Sequence, residues 1–167
     1  MFDEMFLGVD EAARDVTLLL REKKLRAAFA ESCTGGMLAA ALTSVPGSSL
    51  VFEAGMVAYA DWVKKKYVGV TGGILAAYGA VSFETACAMA DGIRREVGSD
   101  IGVGVTGIAG PGGGSAEKPV GTVYIAAAFA GGTVAKRFVM SYGDRRLNRV
   151  ETVRQALVLL RDYLRRS

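Results

Sequence analysis

Residues 101–105 read IGVGV, a run without one polar side chain that ends in a glycine loop, TGIAGPGGG. A strand apolar on both faces has to be covered from both sides, and that restricts the chain to layered architectures in which helices flank a sheet.

The neighbouring segments agree. Residues 10–23, DEAARDVTLLLREK, repeat Ala12 or Ala13, Val16, Leu19 and Leu20 at helical spacing, with acidic residues early and basic ones late. A short strand from Leu25 to Ala30 follows, then ESCTGG and a helix from about Gly36 to Thr43 that the VPGSS loop ends. Val51 to Tyr59 reads as a strand, and DWVKKKYVGV as a short helix ending near Gly69. A small helix from Ile74 to Ala77 precedes Ser82, the expected N-cap of a helix from Thr85 to Val97. After the glycine loop, Val120 to Ala130 and Thr133 to Ser141 flank Gly131-Gly132, a hairpin signal. The last helix, from Arg145 to about Arg165, carries an apolar face of Leu147, Val150, Val153, Leu157, Leu160 and Leu164. The expected fold is a single three-layer α/β/α domain over residues 1–167, with a mixed, mostly parallel sheet and a late β-hairpin.

Composition excludes several function classes. With 51% hydrophobic residues, 22 glycines and only 8% aromatics, the stock suits close packing of helices on a sheet, not disorder. The uncharged stretch Pro119 to Ala135 is broken by glycines and is shorter than the roughly 18 to 20 apolar residues of a membrane span. The acidic start, MFDE, is unlike a secretory signal, so a cytoplasmic location is expected. Cys33 and Cys87 lie 54 positions apart and the chain has no histidine, which argues against a metal site. A net charge of +3 argues against nucleic acid as a partner.

Three segments could carry chemistry. In ESCTGG the backbone N–H groups of Thr34, Gly35 and Gly36 would face outward from a helix N-terminus, a setting that favours anions and oxyanions. Read structurally, Ser32 or Thr34 is merely an N-cap. Without histidine, a hydrolase must find its base among other side chains, and a desolvated lysine such as Lys64 is the usual substitute beside a serine. The alternative is that Lys64, Lys65 and Lys66 form a solvated helix end. The glycine loop from Thr106 to Pro119 leaves the carboxyl end of a buried strand, where ligands of α/β sheets bind, yet it matches neither a Walker A loop nor GxGxxG opening a helix. Arg145 and Arg146 oppose the dipole of the last helix, which a bound anion would relieve, unless Asp144 caps the turn and both arginines reach solvent.

AESCTGG (30–36), the Tyr59 to Lys64 segment, YGAVS (78–82), TGIAGPGGG with EKPVGTV (117–123), and SYGDR (141–145) together resemble the C-terminal domain family of the CinA competence/damage-inducible proteins, which includes stand-alone nicotinamide mononucleotide deamidases. The match runs in order from about residue 10. The larger N-terminal domain of two-domain members has no counterpart in it. The resemblance implies an amidohydrolase that turns nicotinamide mononucleotide into nicotinate mononucleotide and ammonia, without metal or organic cofactor, and it suggests a homodimer. It implies catalysis by Ser32, Tyr59 and Lys64.

Within that expectation, Ser32 attacks, Lys64 is the base, and Tyr59 orients the lysine or protonates the leaving group. Thr34, Gly35 and Gly36 form the oxyanion hole. Thr106, Gly107 and Gly110 cover the nucleotide, and Arg145, assisted by Lys118, reaches the phosphate. Two rivals stand beside it. One is an amidase with Cys33 as nucleophile and Glu31 or Asp61 as acid; the other is a nucleotide-binding module without catalysis.

Overall fold

The structure, a computed structural model, describes the backbone of residues 2–167 and side chains from residue 4 onward. The elements follow in the order α1 (Phe2–Lys23), β1 (Ala27–Glu31), α2 (Met37–Thr43), a short 3-10 turn (Ser48–Leu50), β2 (Phe52–Val57), α3 (Asp61–Tyr67), α4 (Gly72–Tyr78), α5 (Phe83–Val97), β3 (Ile101–Gly107), β4 (Thr122–Phe129), β5 (Gly132–Val139) and α6 (Arg145–Leu164). No helix among the described residues is long and apolar enough to cross a membrane.

The five strands form one sheet in the order β2-β1-β3-β4-β5. β1 lies parallel to both β2 and β3, while β4 is antiparallel to β3 and β5 to β4. Four strands therefore share one direction and β4 alone reverses it, so the sheet is mixed and mostly parallel.

Helices cover both faces, as IGVGV required. On one face Phe29, Val103, Val105 and Ile125 pack with Val9, Val16, Leu38, Val153 and Leu157 of α1, α2 and α6. On the other, Ala28, Ala30 and Ala58 meet Val68, Met89 and Ile93 under α3 to α5. The two glycines of IGVGV face α5: a Cβ at Gly102 would overlap the Ala90 carbonyl oxygen, and one at Gly104 that of Ala86. The same helix carries Gly92, where a Cβ would overlap the carbonyl oxygen of Val68, just behind α3.

Two elements differ from the sequence expectation. The first helix begins at Phe2, eight residues before the expected start at Asp10, because Met5 and Val9 extend the buried stripe of Ala12, Val16 and Leu20 toward the N-terminus. The hairpin turns one residue earlier: Phe129 pairs with Gly132, so Ala130-Gly131 is the two-residue loop and Gly132, at φ 137°, opens the returning strand. Other boundaries shift by one to three residues, within the fraying of element ends.

Candidate active site

The carboxyl ends of β1, β2 and β3 lie side by side, and each continues into one of the segments singled out in the sequence. Pairing extends past β1, since the Ser32 N–H donates to the Val105 carbonyl at 2.9 Å. Side chains alternate along this strand, so Phe29, Glu31 and Cys33 face α2 and α6 whereas Ala28 and Ala30 face the α3–α5 side, and the same alternation carried one residue past Glu31 assigns Ser32 to the α3–α5 side. Thr106, two residues on from Gly104, also lies on the α3–α5 side.

Glu31 fixes the turn that follows. Its buried carboxylate accepts from the N–H groups of Gly36 (3.0 Å), Leu38 (3.1 Å) and Ala39 (2.8 Å), capping α2 from below. A carboxylate at a helix N-terminus satisfies both the orphan donors and the dipole. The Gly35 N–H donates to the Ser32 carbonyl at 3.1 Å. The expectation of three free donors at Thr34, Gly35 and Gly36 is corrected accordingly: Gly35 and Gly36 are occupied within the fold, and among the described residues the Thr34 N–H has no hydrogen-bond acceptor. Glu31 also has no spare role as the acid of a cysteine site, because its oxygens are taken by N–H donors.

Cys33 sits 5% exposed in the α1/α2/α6 core. Burial pushes its thiol up to about 12, and the Glu31 charge adds to this, against smaller lowering effects of its own backbone N–H and of Arg149 and Arg145. A thiol held protonated in an apolar core is a poor nucleophile. The neighbouring Ser32 is also buried, at 9% exposed, and depends on a base for its activation.

The lysine triplet is resolved by burial. Lys64 is 1% exposed, whereas Lys65 and Lys66 face solvent. Its Nζ donates to the Tyr59 carbonyl at 2.8 Å and pairs with Asp61 Oδ1 at 3.5 Å. The backbone beneath Tyr59 is tied to the serine turn, since the Ala58 N–H donates to the Glu31 carbonyl at 2.8 Å. Ser32 and Lys64 thus lie on one side of the sheet at neighbouring strand ends, though no hydrogen bond joins them. Asp61 pairs with the lysine rather than with Cys33.

Arg145 opens α6, whose first turn Asp144 caps by accepting from the Leu147 N–H at 2.8 Å. The arginine bridges two parts of the site: Nη1 donates to the Gly110 carbonyl at 2.7 Å and Nη2 to Tyr59 Oη at 3.2 Å. Lys118 and Thr106 are engaged within the fold. Lys118 Nζ donates to the carbonyls of Val81 (2.7 Å) and Tyr78 (3.3 Å), and Thr106 Oγ1 donates to that of Ala80 at 2.6 Å. Both hold the 78–82 segment against the strand ends, Lys118 through two of its N–H donors. Gly107 closes β3, hemmed in by Thr122 and Val123.

One residue was missed by sequence reasoning. Arg149, one turn along α6 from Arg145, donates from Nε to the Cys33 carbonyl (3.0 Å) and from Nη2 to the Thr34 carbonyl (2.7 Å). The i, i+4 spacing of the two arginines was the available signal. Buried and without partners beside this region are Thr34 Oγ1 and Asn148 Oδ1, while Asn148 Nδ2 donates to the Ala109 carbonyl at 3.0 Å.

No group of three or more His, Cys, Asp or Glu suited to a metal ion occurs among the described residues. An apolar groove of about 230 Å³, lined by Phe6, Val9, Met37, Ala40 and Val150, lies between α1, α2 and α6, away from Ser32 and Lys64. The arrangement at the strand ends, by contrast, offers a hydroxyl, a buried amine, a phenol and an unspent N–H within one region, the elements of acyl-transfer chemistry.

The model of the CinA C-terminal domain family matches residues 9–164. A CinA-like protein of Anaeromyxobacter sp. (strain K) is 50% identical over 159 residues, which is 95% of this chain and 38% of that protein. A CinA-like protein of Syntrophus aciditrophicus is 46% identical over 149 residues, 89% of this chain and 36% of that protein. The chain thus spans about two fifths of the length of the curated relatives it matches, 40% at most among the first of them. Among solved structures, the competence/damage-inducible protein CihA of Agrobacterium tumefaciens superposes with a TM-score of 0.90 at 41% identity, over 95% of this chain and 96% of that one. A CinA superfamily protein of Klebsiella pneumoniae gives 0.91 at 33% identity, over 95% and 99%. With its fold, its strand-end motifs and these matches in agreement, the chain belongs to the CinA C-terminal domain family.

Proposed function

We propose that this protein is an amidohydrolase that converts nicotinamide mononucleotide and water to nicotinate mononucleotide and ammonia. The observation that carries the reading is the burial of Lys64 alone among three consecutive lysines, on the same side of the sheet as Ser32 and hydrogen-bonded to the Tyr59 backbone. The Tyr59 carbonyl and Asp61 fix where Nζ stands, and the mechanism uses the amine in its neutral form to receive the serine proton.

In this mechanism Ser32 Oγ bonds to the carboxamide carbon while its proton passes to Lys64 Nζ, and the carbonyl π pair moves onto oxygen. The Thr34 N–H donates to that oxygen. Tyr59 Oη, accepting from Arg145, gives its proton to the departing nitrogen, which leaves as ammonia, and regains one from Lys64, so that the proton taken from Ser32 is passed on and the amine is neutral again. Water, deprotonated by Lys64, then releases the carboxylate and restores Ser32. The loop at Thr106, Gly107 and Gly110 lies over the neighbouring strand end and borders the nucleotide, and Arg145 offers charge to its phosphate. A homodimer belongs to the same reading, and light scattering of the purified protein measures it.

Ammonia release from nicotinamide mononucleotide by the wild type and by Ser32→Ala tests the proposal. Wild-type turnover with a loss of several powers of ten in the variant is the expected result. Near-normal kcat in Ser32→Ala, or no release by the wild type, overturns it and favours a binding module.

A further inference from the structure

We propose that Arg149 is a positioning residue that turns the Thr34 N–H toward the reacting carbonyl, an inference that rests on the amidohydrolase reading above. Arg149 reaches the serine turn from α6 and holds two consecutive carbonyl oxygens, those of Cys33 and Thr34, with one guanidinium. In a trans peptide the C=O and the N–H of one unit point in opposite directions. The Cys33 carbonyl and the Thr34 N–H belong to one such unit. Drawing the carbonyl toward α6 therefore aims the N–H away from α6, to the side where strand alternation puts Ser32 and where Lys64 is buried.

Three further observations fit. The Gly35 and Gly36 N–H groups are consumed by the Ser32 carbonyl and by Glu31, so of the two peptides whose carbonyls Arg149 holds, Cys33–Thr34 keeps its donor and Thr34–Gly35 does not. The guanidinium lies so close over the turn that a Cβ at Gly35 would come within 3.1 Å of Nη2, and Gly35 adopts φ 60°. Arg149 has no carboxylate partner of its own among the described residues; its charge serves the two carbonyls, which polarises the peptide and strengthens the N–H as a donor. Arg149 neither gives nor takes a proton in the reaction. The serine proton still goes to Lys64, and the electron pair of the carbonyl still goes to its oxygen.

A lysine keeps the charge but not the fork that bridges two carbonyls. Crystal structures of the wild type, Arg149→Lys and Arg149→Gln read the orientation directly. In both variants the Cys33–Thr34 peptide is expected to rotate while β1 and α2 stay in place; carbonyls unmoved in both variants overturn the proposal. Kinetics supply the second readout. Loss of one oxyanion donor lowers kcat by about 100-fold or more, and KM should hardly move, on nicotinamide mononucleotide and on its phosphate-free riboside alike. A rotated peptide with full kcat, or a KM rise confined to the mononucleotide, overturns the assignment, the latter by making Arg149 a phosphate ligand. If Arg149→Gln does not fold, Arg149→Lys carries both comparisons. Should Ser32→Ala retain activity, the hydrolase reading falls by itself, and the crystal structures still decide whether Arg149 orients the peptide.

Discussion

Arg145 donates to Tyr59 Oη at 3.2 Å while its other nitrogen holds the Gly110 carbonyl at 2.7 Å, joining the β2–α3 connection to the glycine loop. A guanidinium in this place acts on the phenol, and under the proposed function on the substrate phosphate as well. Loss of charge-assisted contacts costs about 1.5 to 3 kcal/mol, or one to two powers of ten in kcat/KM. Arg145→Ala is therefore expected to lose that much on nicotinamide mononucleotide and to lower kcat on the phosphate-free riboside too. A steady-state comparison of the two substrates checks this, and an unaffected riboside would leave the phosphate as the sole object of Arg145.

Lys64→Met keeps the buried stem and removes the amine, so it should fold and lose nearly all turnover. Lys65→Ala, at an exposed position, should stay within about 0.5 kcal/mol of the wild type in stability and keep its activity. Parallel melting curves and ammonia assays separate the two. Comparable activity in both variants would remove Lys64 from the mechanism.

Glu31→Gln puts an amide where three backbone N–H groups converge, and its NH2 faces donors instead of acceptors. The expected cost is about 2 kcal/mol, the scale of a hydrogen-bonded charge, which for a chain of this size lowers Tm by about 4 to 8 °C. Because the same carboxylate anchors the serine turn, kcat should fall as well. Calorimetry and the ammonia assay measure the two effects on one sample.

For Glu151, burial alone would raise the carboxyl, but the hydrogen bonds from Arg154 (2.6 and 2.9 Å) and Gln155 (2.7 Å) with the Arg154 charge outweigh it and hold it below its ordinary 4.5. A carboxylate lowered in the folded state contributes stability that is full above its unfolded value and disappears as pH falls through the folded one. Thermal melts between about pH 6 and pH 3 should therefore show a steeper acid loss in the wild type than in Glu151→Gln. Superimposable profiles would contradict the assignment.

Cys33, with its thiol pushed up to about 12, is thiolate in only about one molecule in ten thousand at pH 8. Iodoacetamide should label it only after denaturation and should leave ammonia release intact. Peptide mass spectrometry of native and unfolded samples reads the labelling, and inactivation in step with native Cys33 alkylation would restore the cysteine as a candidate nucleophile.

The parts of this structure that could be read from the sequence are those decided by local pattern. IGVGV required two covered faces and has them, and Ser82 caps α5 by accepting from the Thr85 N–H. Lys64 could have been separated from Lys65 and Lys66 by its position one turn before Val68, which is fully buried. The contacts of Glu31 and Arg149 were not legible, because their partners are backbone groups; spacing from Arg145 marked the position of Arg149 but not what it holds. Nothing in the residue types at 33, 34, 36, 38 or 39 announces that a carboxylate or a guanidinium will seek their N–H or C=O. The contact from Arg149 to Cys33 also spans 116 positions, a separation that only the α6 packing closes.

The meeting of Gly92 with Val68 gives the placement of Lys64 a particular kind of precision. Most helices in this protein rest on side chains, which yield a little when a neighbour changes. Behind α3 the rest is main chain on main chain, and α3 is tied to the same stretch by the Val70 N–H, which donates to the Lys64 carbonyl at 3.1 Å. Such a contact behaves like a mechanical stop rather than a cushion. Drift in the surrounding aliphatic residues can reshape the interior without carrying the amine along, while a single methyl group at position 92 would displace the amine from its station.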